Sequence, residues 1–148
     1  MPAQTSIVIP AHNESNRLAT GFRRLAPVLE EMDPSVTEVI VIDDGSIDDT
    51  LHVAHDLYGH LPSALFVQQP TNLGKGAAVR LGIALATGEY VIAADADMSI
   101  DPRHFPEIVG ALATSNLVPG SRVVRGHIQY DSALRTMAGP PMSMFSIN

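Results

Sequence analysis

The sequence predicts an α/β domain built on a mostly parallel sheet with helices on both faces. Three observations point there. Short apolar runs alternate with segments of helical period along the chain. The run Glu38-Val39-Ile40-Val41-Ile42-Asp43 is β-branched and apolar on both faces, as a central parallel strand is. Four apolar runs end in polar segments: Pro10-Ala11-His12-Asn13-Glu14, Asp43-Asp44-Gly45-Ser46, Gln69-Pro70-Thr71-Asn72 and Asp95-Ala96-Asp97. In a parallel sheet with right-handed crossovers those ends share one edge, and ligands bind there.

The elements follow in order. Ser6 to Pro10 reads as the first strand. Leu18, Phe22, Leu25 and Leu29 recur at helical spacing and predict a helix over about 15–32, which Pro27 should end or kink. Asp33-Pro34-Ser35 is a turn, and Glu38 to Asp43 is the second strand. Ser46, with Asp49 three residues on in a capping-box position, opens a helix to about Tyr58. Ala64 to Gln68 is the third strand. Gly74 to Thr87 is a third helix closed by Gly88, and Tyr90 to Ala94 is the fourth strand. Asp101-Pro102 opens a fourth helix through Phe105, Ile108, Val109 and Leu112, its start blurred by Pro106. Leu117-Val118 suits a short fifth strand. From about Gly126 the pattern decays, and Gly139-Pro140-Pro141 breaks any helix.

At 148 residues the chain suits one domain and can bury about 70% of its unfolded surface. A net charge of −7 with no basic stripe argues against a nucleic-acid partner. The absence of cysteine excludes a disulfide scaffold and thiolate metal sites, and fits a reducing, cytoplasmic setting. The start, Met1-Pro2-Ala3-Gln4-Thr5, does not read as a signal peptide, and no apolar run approaches the ~20 residues that span a bilayer. Any membrane contact is therefore expected to be peripheral, at the cytoplasmic face, or to lie outside this chain.

The strand ends carry the chemistry. Asp95 and Asp97, two apart on an extended segment, project to one side and can share one hard divalent cation. Mg²⁺ in particular is usually held by one or two carboxylates together with substrate phosphates. A solvated acidic turn is the bland alternative, and a lone D-x-D triplet does not exclude it. Asp43, at a buried strand end, needs donors; a nucleobase N–H or ribose hydroxyls would supply them. Asn72-Leu73-Gly74-Lys75-Gly76 enters a helix, and its backbone N–H groups with Lys75 favour an anion; a glycine turn with a solvated lysine fits equally. Arg80 either reaches the same pocket or is solvated. His52 and His55 have chelate spacing without a third ligand, so a polar helix face is the better reading. The first turn lacks the glycines of a dinucleotide fold, and Lys75 is followed by Gly76, which excludes a P-loop.

Together these blocks resemble the family-2 glycosyltransferases of the GT-A (Rossmann-like) fold. The resemblance rests on Ser6 to Glu14, on Glu38 to Thr50 with its Asp43-Asp44-Gly45-Ser46, on Asn72 to Ala78, on Asp95-Ala96-Asp97 and on Gly120-Ser121-Arg122. Asn13-Glu14 followed by Arg17-Leu18 is most similar to the polyprenyl- or dolichyl-phosphate glucosyl- and mannosyltransferases. The resemblance implies a nucleotide-sugar-binding GT-A subdomain over 1–125 and a tail, 126–148, at the start of an acceptor-side half. It implies that Pro10, His12, Glu14, Asp43 and Asp44 border the nucleobase and ribose, and that Lys75 approaches the base or diphosphate. Asp95 would contact nucleoside or metal, and Asp97 would be the principal ligand of a catalytic Mg²⁺ or Mn²⁺. His12 stands where the family commonly has an aromatic residue, and Ser99 where it often has glutamine.

The implied activity is inverting transfer of a hexose from a nucleotide sugar, UDP-glucose or GDP-mannose, to a polyprenyl-phosphate acceptor. The alternative is a truncated, catalytically weak nucleotide-sugar-binding module. A sugar-nucleotide pyrophosphorylase is disfavoured, because the Gly-rich, Arg-containing first loop is absent. The apolar tail residues Met137, Met142, Met144, Phe145 and Ile147 suggest a homo-oligomer or membrane association.

Overall fold

A computed structural model of the chain describes residues 4–115 and the backbone of residues 144–146. One parallel sheet contains β1 (Thr5–Ala11), β2 (Thr37–Asp43), β3 (Ala64–Gln68), β4 (Tyr90–Ala93) and β5 (Met144–Ser146), in the order β3-β2-β1-β4-β5. The helices are α1 (Ser15–Glu31), α2 (Thr50–Tyr58), α3 (Lys75–Leu85) and α4 (Phe105–Leu112), the last preceded by a 3₁₀ turn, Pro102–His104.

The order explains where the helices lie. The chain steps one way from β1 to β2 to β3, then crosses back to place β4 on the other side of β1. A right-handed crossover taken in the reverse direction puts its helix on the opposite face. Accordingly α1 and α2 pack with Ile7, Ile9, Val39, Val41 and Ile92 on one face, while α3 covers Val8, Ile40, Ile42 and Val91 on the other; α4, which follows β4, packs on the α1 face without being placed there by that rule. The alternation along β1 and β2 is the two-residue period of a strand buried on both sides.

Local chemistry shifts several boundaries. Helix α1 runs through Pro27 to Glu31. Pro27 is exposed while Leu25, Val28 and Leu29 are buried, so core packing on one face outweighs the hydrogen bond lost on the other. Pro27→Ala should restore that bond and stabilise the chain by about 1 kcal/mol, read by thermal unfolding; the gain is smaller than the ~3 kcal/mol cost of a proline in an ordinary helix interior because this helix already accommodates it. Helix α2 begins at Thr50, not near Ser46. Asp48, not a Ser46–Asp49 box, serves this entry: its Oδ1 accepts from Thr50 N at 3.0 Å and from the Thr50 hydroxyl. Helix α3 ends at Leu85, because Ala86 is already extended. Gly88 is no helix cap; its N–H donates to Ser6 Oγ at 2.9 Å.

The suggested strand at Leu117-Val118 lies outside the described residues, as does most of the 126–148 tail. Within that tail the backbone of Met144–Ser146 pairs in parallel with Val91–Ala93 and forms an edge strand. Among the described residues no helix is long and apolar enough to cross a membrane.

Candidate functional site

The reversal of strand order falls between β1 and β4, and a cleft of about 470 Å³ opens beyond their carboxyl ends. Its lining includes seven of the eight sequence-expected site residues: Pro10, His12, Glu14, Asp44, Lys75, Asp95 and Asp97. Arg17, Asn72 and Ser99 line it as well. Arg80 is exposed and is not part of the lining.

Asp43 is the exception. Neighbouring residues at a strand end point to opposite faces. Asp43 is fully buried, and its oxygens accept from Ser46 N at 3.0 Å and Gln68 Nε2 at 2.8 Å. The donors that the sequence left to a nucleoside come from the chain itself. Asp44, one residue on, turns towards α3, and its two oxygens accept from Leu73 N and Gly74 N at 2.8 Å each. From sequence those loop amides suit either a ligand anion or a plain glycine turn. The anion they hold is Asp44, which ties the end of β2 to the entrance of α3. Gly45 permits the close approach: its φ is +67°, and a Cβ there would lie 2.4 Å from the Thr71 carbonyl carbon.

The turn after β1 is laced to the segment after β2. His12 Nδ1–H donates to the Asp44 carbonyl at 2.9 Å, which leaves Nε2 to accept from Asn13 Nδ2 at 3.2 Å. Asn13 N donates to Ser46 Oγ, Asn13 Oδ1 accepts from Ile47 N, and Glu14 N donates to Thr50 Oγ1. Ser15 Oγ adds a bond to Asp48 Oδ2 at 2.8 Å. Ser46, Asp48 and Thr50 thus fix the cleft wall, a role hidden in sequence because the same residue types also serve as helix caps.

Asp95 and Asp97 do not lie on extended backbone. β4 ends at Ala93, and Met98 N donates to the Asp95 carbonyl at 2.9 Å, closing a β-turn. The two acids nevertheless meet, because Ser99 engages both. Its N–H donates to Asp97 Oδ1 at 3.0 Å and its hydroxyl to Asp95 Oδ2 at 3.2 Å. Lys75 Nζ lies 2.6 Å from Asp95 Oδ1. Met98 is left-handed, with φ of 49°, which costs a non-glycine residue about 1–2 kcal/mol.

Glu14 belongs to the same electrostatic cluster. Burial raises its pKa above the ordinary 4.5, Arg17 at 3.6 Å opposes the rise, and Asp97, Asp95 and Asp48 add to it. A carboxyl whose folded pKa is raised supports the fold most below its unfolded pKa, and that support is lost as pH rises through the folded value. Glu14→Gln should therefore gain stability relative to the parent as pH rises above the ordinary glutamate range, and converge with it in acid. Chemical denaturation at pH 4 and pH 7.5 checks this.

A hard divalent cation fits these residues. Among the described residues no three His, Cys, Asp or Glu side chains enclose a metal by themselves. One oxygen of Asp97, however, accepts no hydrogen bond from the described residues, and it belongs to a carboxylate lining the cleft with Asp95 and Glu14. That donor set, all oxygen, suits Mg²⁺ or Mn²⁺, which commonly take their remaining ligands from phosphate and water.

The histidine pair of α2 holds no metal arrangement. His52 lies 3.6 Å from Asp56, and His55 stacks on Phe66 with ring centroids 3.9 Å apart.

Comparison with known proteins agrees with this architecture. A dolichyl-phosphate beta-glucosyltransferase of Trichomonas vaginalis is 35% identical over 128 residues, covering 80% of this chain and 38% of its own length. The human dolichyl-phosphate beta-glucosyltransferase is 41% identical over 101 residues, covering 64% of this chain and 31% of its own. The chain thus spans about a third of the length of these relatives. A mannosyltransferase of Pyrobaculum calidifontis, solved with GDP-Man and Mn²⁺, superposes with a TM-score of 0.66 at 22% identity, over 82% of this chain and 38% of that one. The fold is that of the GT-A glycosyltransferases. The sequence model described as Glycosyl transferase family 2 matches residues 6–145, and the chain belongs to that family.

Proposed function

We propose that this chain carries the donor side of an inverting, divalent-cation-dependent glycosyltransferase that moves a hexose from a nucleotide sugar to a polyprenyl phosphate at a cytoplasmic membrane face. The observation that carries the reading is the cleft at the β1–β4 switch, where Asp95, Asp97 and Glu14 converge beside Lys75. An acidic cleft repels a diphosphate unless cations intervene, and Lys75 with a metal would supply them.

His12, Asp44 and Asn72 border the space for base and ribose. Asp43 supports that wall from behind, through Ser46 and Gln68. Lys75 and Arg17 present positive charge to the diphosphate. Asp95 and Asp97 would hold the cation, which when bound stabilises charge on the leaving diphosphate. In the transfer, an acceptor phosphate oxygen bonds to the anomeric carbon from the face opposite the diphosphate. The bond from that carbon to the diphosphate oxygen breaks, and its electron pair leaves with the diphosphate. The attacking phosphate is already anionic, so no general base is needed, and none of the cleft residues is required in that role. The named activity of the relatives supports UDP-glucose as donor, and the GDP-Man complex of the structural neighbour supports GDP-mannose as its competitor.

The test is transfer of radiolabelled glucose or mannose to a polyprenyl phosphate in detergent with Mn²⁺. Product with inverted anomeric configuration supports the proposal. Donor binding without transfer supports a nucleotide-sugar-binding module instead.

A further inference from the structure

The turn bearing Asp95 and Asp97 rests on α1. Gly21 and Arg24 are three residues apart and therefore share a face of that helix. A Cβ built on Gly21 would lie 2.0 Å from the Ala96 carbonyl oxygen, 2.9 Å from its carbon and 3.2 Å from the Asp97 carbonyl carbon. The backbone of the turn is thus in direct contact with the helix, and only glycine leaves room for it. One turn along α1, Arg24 Nη1 donates to the Met98 carbonyl at 2.9 Å and to the Asp97 carbonyl at 3.3 Å. Between them these residues engage three successive carbonyl-bearing positions, 96, 97 and 98. The left-handed Met98, 1% exposed, closes the segment, and such a conformation persists only where the surroundings hold it.

We infer that α1 sets the conformation of the Asp95–Asp97 turn, with Gly21 as the seat and Arg24 as the clamp, so that both are positioning residues for cation binding. The inference rests on the proposed metal role for its functional consequence, but the geometric claim stands apart from it. Arg24 touches neither carboxylate; it holds the peptide carbonyls of Asp97 and Met98 against the helix. With those carbonyls fixed towards α1, the direction of the Asp97 side chain relative to the cleft is fixed as well. Without the clamp, the turn is free to rotate its peptide planes, and the two acids lose their common orientation.

The experiment uses the 148-residue chain and the variants Arg24→Ala, Arg24→Lys and Gly21→Ala. Hydrogen exchange at the amides of Met98 and Ser99 reads the turn, and electron paramagnetic resonance of Mn²⁺ with UDP present reads the cation. Arg24→Ala should speed exchange at both amides before any metal is added. It should weaken Mn²⁺ binding about tenfold, the scale of lost outer-shell support, with UDP affinity in EDTA unchanged. Arg24→Lys should recover much of both losses, because an ammonium can still donate to these carbonyls. Gly21→Ala should show the same turn defect; if it does not fold, the arginine variants decide. Parental exchange rates in Arg24→Ala would overturn the inference. Faster exchange with unchanged Mn²⁺ affinity would overturn its functional half. If the parent itself retains no Mn²⁺, the metal reading fails, and the exchange comparison still decides whether α1 holds the turn.

Discussion

Asp97→Ala is expected to abolish the cation-dependent part of nucleotide-sugar binding while leaving the fold in place. Asp97 is half-buried on a turn, and its one hydrogen bond from the described residues is from Ser99 N, so truncation loses about 1 kcal/mol of stability. The same change removes the carboxylate whose second oxygen accepts no hydrogen bond from the described residues. Loss of this proposed ligand should weaken binding in Mn²⁺ at least 100-fold, roughly 2.7 kcal/mol, and leave the weaker binding in EDTA unchanged. Asp97→Asn keeps an acceptor for Ser99 but not the charge, and should behave like the alanine variant. Calorimetry with and without Mn²⁺ separates the two contributions; equal donor affinity of parent and Asp97→Ala in Mn²⁺ would remove Asp97 from the cation site.

Asp44→Asn is expected to cost both stability and nucleoside affinity. Both oxygens of Asp44 accept backbone N–H groups, and the residue is 3% exposed. An amide keeps one acceptor and turns an NH₂ group on the other N–H, in a place with little water to mediate. Hydrogen bonds to a buried charge are worth about 1.5–3 kcal/mol, so a loss of about 2–3 kcal/mol is expected, or roughly 5–10 °C in Tm for a chain of this size. The Leu73–Gly74 segment would come away from β2 and carry Asn72 and Lys75 with it. Binding of the free nucleoside and of the nucleotide sugar should then fall together. Loss of only the diphosphate-bearing ligand would assign Asp44 to a different part of the cleft. Asp43→Asn, whose partners are Ser46 and Gln68, should show the stability loss with a smaller effect on binding.

The strands are legible in the sequence because their burial on both faces demands unbroken apolar runs, and β3 has the same limits in structure as in the sequence reading. The edge that carries the candidate site is legible for the same reason: parallel strands with short polar ends leave only one place for those ends. Helix limits are less so. Ser46, Asp48 and Thr50 all have capping chemistry, and only their partners across the cleft wall, Asn13, Glu14 and Ser15, decide which of them start a helix. Pro27 obeys the rule against helix proline only until burial of its neighbours is counted.

The candidate site shows the same division. Residue types and spacing bring Asp44, Lys75, Asp95 and Asp97 to one cleft, but not the bonds among them. Asp43-Asp44 reads as a pair in sequence, yet the two buried side chains take different partners: Asp43 takes Ser46 and Gln68, and Asp44 the loop amides at the cleft's edge. The D-x-D acids share a side through Ser99 rather than through the period of a strand. Arg24 and Gly21 carry no motif at all. Their part depends on where α1 passes the turn, a tertiary contact between residues more than 70 positions apart.

The most direct test of the whole account is titration of the chain with UDP-glucose and with GDP-mannose, each in Mn²⁺ and in EDTA. Saturable binding of one donor in preference to the other is expected in Mn²⁺, with loss of most of that affinity in EDTA. Binding of neither donor, or binding of equal strength with the cation removed, would contradict it.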